Sequence, residues 1–327
     1  MENMTSSRKI CTIGGGSGMP IVNNALVRAG YTQIRSIVTT FDSGGDTGRM
    51  RTDERGKILA FSDYWRALIS LWHDDKQKEK WVEMLRFRDG RERNFGNIFF
   101  QFLAERSGGL GSVDEMFCAL TGAKINGQVI PVSNEPAQVC FETISGKRYV
   151  GEHYLDQLRM SKDMVANIWL EPEVEASEEA CRAIEQSEAI IFCPGSVYGS
   201  LIVNLLLKGI RRSVVKSKAK KILMANIMTT ANESDGFDCK KYVDLFEKYL
   251  GKKNIVDVVL MADMDKLNQK QLARVLKYYE MENSFLINQQ NCSARVVVDD
   301  IATIEKRNMR LRHSETKLST SLKNLIE

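Results

Sequence analysis

Four loops along the chain gather the residue types that hold phosphate. The first is CTIGGGSGMP at residues 11–20, where Gly14, Gly15, Gly16, Ser17 and Gly18 lie between an apolar run and a new apolar stretch. Glycine lets backbone N–H groups come close to a ligand. A helix start then points those groups, with the positive end of the helix dipole, at an anion. The dinucleotide pattern Gly-x-Gly-x-x-Gly fails at Met19, and no Lys-Ser/Thr pair follows to complete a P-loop. The loop is therefore a phosphate-type turn outside those two motifs, with a ligand-free glycine turn as the bland alternative.

The second loop is TTFDSGGDTGRMRTDERG at residues 39–56. Asp42 stands at the end of an apolar run, Asp46 and Asp53 follow, and Arg49, Arg51 and Arg55 are interleaved with them. Carboxylates beside arginines and a Gly44-Gly45 turn suit a diphosphate, with Asp42 on Mg2+ and Arg49 on phosphate oxygens. A solvated charged loop with internal ion pairs would look similar.

The third, CPGSVYGSLIVN at residues 193–204, is again a strand that ends in Pro-Gly-Ser before a helix. Gly195 and Ser196 make a second anion-ready start, although Ser196 could serve only as an N-cap. The fourth, ANIMTTANESDGFD at residues 225–238, sets Asn226, Thr229, Thr230, Glu233 and Asp235 after another apolar run. Polar groups at the C-terminal ends of parallel strands line ligand crevices. The run RDGRERNFGNI, with Asn94, Gly96 and Asn97, reads equally as a lid or as a helix–helix turn.

These loops need a scaffold, and the flanking pattern supplies one. KICTIG reads as a first strand and PIVNNALVRAG as a helix, with Pro20 near its start and Gly30 past its end. IRSIVTTFD reads as a second strand, and Trp65, Leu68, Leu71 and Trp72 stand at helical spacing. The stretch from Gln128 to Glu152 is β-like, with SGK as a hairpin turn and a small antiparallel edge as its expected product. EAIIFCPGS, KKILMANIM and IVDVVLMAD read as buried strands, while VYGSLIVNLLLKGI and KKYVDLFEKYLG read as helices. The basic run Lys208–Lys221 reads as a solvated helix end and loop, and residues 307–327 as a terminal helix. Alternation of this kind predicts an α/β fold: a Rossmann-like parallel sheet flanked by helices. We expect one domain over residues 1–327 with a helical insertion at residues 57–123.

Bulk properties narrow the classes. The chain has 327 residues, is 43% hydrophobic and carries a net charge of +4, enough apolar content for a large core and too little charge to argue for nucleic acid. MENMTSSR lacks the apolar stretch of a signal peptide, and no membrane span is expected. Seven cysteines are scattered without a Cys-x-x-Cys pair, which fits a reducing cytoplasm. His73, His153 and His313 form no metal-like spacing.

In this order, GGGSG, TTFDSGGDTGRMR, PGSVYGSLIVNLLLKGI and NIMTTANESDGFD resemble the family of 2-phospho-L-lactate transferase and the bacterial gluconeogenesis factor. VIPVSNEP is also similar to its family counterpart, so the likeness runs from about Lys9 to the C-terminal helix. DSGGDTGRMR and LRHSETKLSTSL look closer to the gluconeogenesis-factor branch. This chain departs from that branch at Ser43, where a second aspartate is common, at Cys193, at Ser314, and in SDYWRAL, where the family often has Gly-Asp-x-Arg.

The resemblance implies a nucleotide-sugar-binding protein, with UDP-N-acetylglucosamine as the type ligand, that influences carbon use and cell shape. Its other branch implies a Mg2+-dependent transferase that moves a phospholactyl group from a guanosine diphosphate ester to a deazaflavin acceptor. The resemblance also implies a homodimer. It makes Arg312 a UDP-sugar contact, together with a tyrosine that falls on Tyr278 or Tyr279, with spacing in favour of Tyr279. Neither nucleic acid nor a nicotinamide cofactor is expected as a partner.

Overall fold

In β1 (Ser6–Gly14) every side chain from Ile10 onward is buried, whichever way it points. Ile10 packs on one side of the sheet, and Cys11 and Ile13 on the other. A strand apolar on both faces belongs in the middle of a parallel sheet covered on both sides. The protein, seen as a computed structural model, shows this arrangement for residues 6–53, 59–73, 76–157, 163–289, 292–305 and 307–327; the side chains of residues 49 and 51–53 also lie outside the description.

β1 turns into α1 (Gly18–Arg28) and β2 (Tyr31–Val38), and five helices follow: α2 (Gly45–Asp53), α3 (Ser62–Leu71), α4 (Lys76–Arg86), α5 (Phe95–Ser107) and α6 (Val113–Thr121). Next come β3 (Gly127–Pro131), β4 (Gln138–Thr143), β5 (Arg148–Val150), α7 (His153–Gln157), β6 (Val165–Glu171), α8 (Glu178–Glu185) and β7 (Ala189–Phe192). A π-helical turn, Val197–Ile202, runs into the short α9 (Val203–Leu205), followed by α10 (Lys208–Lys216), β8 (Lys220–Met224), α11 (Cys239–Leu250) and β9 (Val258–Ala262). The chain ends with α12 (Gln269–Met281), β10 (Arg295–Asp299), β11 (Ala302–Glu305), β12 (Arg310–His313) and α13 (Glu315–Ile326).

Seven strands form one parallel sheet in the order β10-β9-β8-β7-β1-β2-β3. The order reverses between β1 and β7, and in such sheets the crevice for a ligand opens outside the strand C-termini at that point. The fold is thus the expected Rossmann-like α/β sheet. On one face α1, α3, α5, α6 and α13 bury Leu26, Leu68, Phe100, Phe117 and Leu322; on the other, α8, α10 and α11 bury Ile184, Val214 and Phe246. A polar seam holds the first face in register. Asn23 of α1 accepts from Thr12 at 3.0 Å and from Ser36 at 3.1 Å, and donates to Ser70 of α3 at 3.0 Å. All four side chains are buried, so this satisfied network fixes how α1 and α3 sit on β1 and β2.

Several local expectations change. The acid–arginine stretch after Gly44, expected as a charged loop, is helical, α2. VYGSLIVNLLLKGI is not one helix: it breaks after α9, and the basic run Lys208–Lys216 is the helix α10, packed on α8. The β-like stretch divides. β3 joins the main sheet, while β4 pairs antiparallel with β5 and β6 in a separate three-stranded sheet. The terminal segment begins as a hairpin, β11 with β12, before α13. Cys239 and Cys292 are joined in a disulfide, their Cα atoms 5.3 Å apart; this differs from the reducing environment that the scattered cysteines suggest, since scatter along the chain carries no information on proximity in space. Among the described residues no helix is long and apolar enough to cross a membrane.

Candidate functional site

The turns after β1 and β7 touch. A Cβ on Gly18 would stand 1.8 Å from the carbonyl oxygen of Pro194, so the two backbones approach at a distance only glycine permits. Gly16 takes a left-handed φ of +62° and swings the chain into α1. Ser17 precedes the helix and makes no capping bond with its own side chain. The N–H of Gly16 donates to Asp63 Oδ2 at 2.8 Å. Asp63 is buried at the start of α3. Burial, and then the nearby charge of Asp42, push its carboxyl up to about 6, against the opposing effects of Arg66 and the Gly16 N–H. Asp42 accepts from the Gly44 N–H at 2.8 Å and from the Ser62 hydroxyl at 2.7 Å.

The second turn is tied to the third. Gly195 N–H donates to Asn226 Oδ1 at 2.9 Å, and Asn226 Nδ2 donates back to the Gly195 carbonyl at 2.7 Å. Ser196 caps the π-helical turn by accepting from Gly199 N–H at 2.9 Å, and its own hydroxyl donates to Glu233 at 2.7 Å. The buried Glu233 carboxylate also takes the Tyr198 N–H at 3.1 Å. Ser196 is therefore an N-cap whose proton is already engaged, and a carboxylate occupies part of the second helix start.

One cleft of about 680 Å³ opens above these turns. The first loop contributes Ser17 and Gly18 to it, the third Gly195 and Ser196, and the fourth Asn226, Thr229 and Thr230. Tyr279 of α12 and Arg312 of β12 form the far wall. Tyr279 is buried and its hydroxyl accepts the Leu311 N–H at 3.1 Å, whereas Tyr278 points to solvent. The structure thus brings Ser17, Gly18, Gly195, Ser196, Asn226, Tyr279 and Arg312 to one space. Among the described residues, Gly14, Gly15, Gly16 and Asp42 are not part of its lining. The Arg49 side chain lies outside the described residues.

Further groups belong to this wall. Arg310 pairs with both carboxylate oxygens of Glu282 and stands 4.9 Å from the Tyr279 ring centre. His313 is buried at the end of β12; its Nε2 has no hydrogen-bond partner, and burial together with Arg312 lowers its pKa to about 4. Arg310 and Glu282 gave no local signal, and His313 showed only inside LRHSETKLSTSL, because residues of β12 and of the end of α12 reveal a shared wall only once the two are folded together. Asp63 showed in the sequence only inside SDYWRAL, the stretch that stands where the family often has Gly-Asp-x-Arg. The Asn94 turn resolves as a helix start: Asn94 caps α5 by accepting from Asn97 N–H at 3.1 Å, and Asn97 Nδ2 donates to Asp46 at 2.9 Å.

A doubly wound parallel sheet with a cleft at the reversal of its strand order, walled by two helix starts, defines a Rossmann-like α/β protein. Residues 10–314 match the family model described as 2-phospho-L-lactate transferase CofD, and the chain belongs to that family. It is 33% identical to a "Putative gluconeogenesis factor" of Aquifex aeolicus over 77% of each chain. It is 26% identical to the protein so described from Thermotoga maritima, over 97% of this chain and 99% of that one. The crystal structure of protein BH3568 from Bacillus halodurans superposes with a TM-score of 0.84 at 22% identity, covering 97% of this chain and 99% of that chain. The family resemblance carried by the four loops thus holds over almost the whole chain.

Proposed function

We propose that the cleft binds a nucleotide sugar of the UDP-N-acetylglucosamine type, and that the protein is a binding regulator of carbon use and cell shape. The observation that carries this is the convergence of the Ser17–Gly18 and Gly195–Ser196 turns with Arg312 around one space of about 680 Å³. That volume lies within the range of small-molecule sites. In this reading the diphosphate sits at the start of α1, where backbone N–H groups and the helix dipole face it. Arg312, whose Nε lies 3.9 Å from Glu305, supplies a guanidinium from the opposite wall, and Tyr279 holds the β12 backbone that carries it. The names of the Aquifex and Thermotoga relatives support the regulator branch. A homodimer and a cytoplasmic location belong to the same proposal.

A second reading, a Mg2+-dependent transferase acting on a nucleoside diphosphate ester, is favoured by Asp42 and Asp63. Two carboxylates close enough for one to raise the pKa of the other form an anionic pair that a divalent cation would relieve. Mg2+ commonly takes only one or two protein carboxylates and completes its shell with phosphate oxygens and water, so these residues fit it. A cation there would neutralise charge developing on a departing diphosphate. The residues themselves would orient the donor: Gly16 and Ser62 fix the carboxylates, and Asn226 holds the Gly195 turn.

Titration calorimetry with UDP-N-acetylglucosamine and with GDP, each with and without Mg2+, tests both. Tight UDP-sugar binding without a metal requirement is the expected result. Metal-dependent preference for GDP would transfer the case to the transferase, and absence of nucleotide binding would end both.

A further inference from the structure

A second cavity, of about 400 Å³, adjoins the cleft on the other side of the first turn of α1. Ser17 and Ile21 line both spaces. Its floor is apolar: Ile21 of α1, Trp65 and Ile69 of α3, and Val82 of α4. Its rim is cationic, with Arg66, Arg86 and Arg88.

The charges on this rim are poorly compensated. Arg66 has a partner in Asp63 at 3.6 Å, and its guanidinium stands 5.5 Å from the Trp65 ring centre. Arg86 and Arg88 meet no carboxylate among the described residues; Arg88 donates only to the Glu92 carbonyl at 2.9 Å. Glu315, the one acid in the lining, already accepts from Asn24 at 2.8 Å and lies 3.7 Å from Arg28. A helix C-terminus attracts cations, which accounts for Arg86 in the last turn of α4. It does not account for Arg66, near the middle of α3, or for Arg88, past the end of α4. A concave site of one charge sign with low-dielectric walls concentrates counter-ions. Guanidinium planes also stack on aromatic rings.

We propose that this cavity binds a small aromatic anion: one planar ring system bearing a phosphate or carboxylate. The ring lies on the Ile21, Val82 and Trp65 floor, and the anionic group meets Arg86 and Arg88. The volume suits such a molecule. α3 connects the two spaces, with Asp63 against the Gly16 turn and Arg66 one helical turn further on. The proposal adds to the nucleotide reading and does not need it.

The probe is 4-methylumbelliferyl phosphate, followed by calorimetry and by its fluorescence anisotropy. Inorganic phosphate and 4-methylumbelliferone are the two fragment controls. We expect the ester to bind at least about tenfold more tightly than either fragment. The Arg86→Glu/Arg88→Glu double variant, altered only at exposed positions, should weaken the ester by about tenfold or more while its affinity for UDP-N-acetylglucosamine and its thermal midpoint stay unchanged. Saturating UDP-N-acetylglucosamine should not displace the ester. An ester no tighter than phosphate, an unaffected double variant, or competitive displacement by the sugar nucleotide would each overturn the proposal. Should the sugar nucleotide fail to bind at all, the double variant still decides the second cavity alone.

Discussion

The backbone N–H of Gly16 and the carboxylate of Asp63 are 2.8 Å apart, although the two residues are separated by 47 positions. The hydrogen bond lets α3 hold the glycine turn from behind, and it brings a second carboxylate towards Asp42. If the pair holds a divalent cation, Asp63→Asn should abolish any Mg2+ enhancement of nucleotide binding while the metal-free affinity changes by less than about threefold. An enhancement that survives the substitution would remove the cation from this pair.

Asn226 makes two reciprocal hydrogen bonds with the Gly195 backbone. Asn226→Ala leaves a turn N–H and carbonyl without those partners. It should lower stability by about 1–2 kcal/mol and loosen the turn that frames the cleft. Urea denaturation and ligand titration together check this; a loss of affinity without any loss of stability would make Asn226 a direct ligand contact instead.

Gly18→Ala places a methyl group where the Pro194 carbonyl oxygen already stands. Backbone on both sides leaves nothing flexible to give way, so a loss on the order of 3 kcal/mol is expected. The measurement is the thermal midpoint of the purified variant; a midpoint close to that of the parent would mean that the two turns part easily.

Tyr279 lines the cleft and Tyr278 does not. Arg312→Ala should cut sugar-nucleotide affinity by about tenfold or more, and Tyr278→Ala should leave it alone. The reverse ranking in calorimetry would place the ligand outside the proposed cleft.

His313 is held neutral, its pKa lowered to about 4 by burial and by the charge of Arg312. Between its ordinary value of 6.5 and about 4 the unfolded chain binds more protons at this site than the folded one. The neutral ring therefore favours folding above pH 6.5, and that contribution is lost as pH falls through the window. Relative to His313→Asn, the parent protein should lose on the order of 2 kcal/mol between pH 7 and pH 4. Chemical denaturation of both proteins across that range reads the difference, and parallel curves would show that His313 does not titrate as a buried group.

Much of the architecture was legible because it rests on local rules. β1, β7 and β8 are buried on both faces, so their apolar runs showed in the sequence, and the Gly-rich stretch that follows β1 had to be a turn. The same locality misled elsewhere. VYGSLIVNLLLKGI is apolar at helical spacing throughout, yet the chain breaks at Leu206–Leu207 so that α10 can pack closely on α8: a Cβ on Gly209 would stand 3.1 Å from Sγ of Cys181 in α8. Ser196 reads as part of an anion-ready helix start because nothing near it in sequence reveals that Glu233 folds over it.

The sequence alone determined the strand–turn–helix units, the glycine approach at residues 14–18 and family membership, since each depends on residues close together or on a pattern read along the chain. Tertiary structure alone decided that Ser17, Gly195, Asn226, Tyr279 and Arg312 face one space, that Asp63 stands behind Gly16, and that Cys239 reaches Cys292. The physical reason is the same in each case. Packing on the two faces of one sheet, and the reversal of its strand order between β1 and β7, bring together groups whose separation along the chain says nothing about their distance in space.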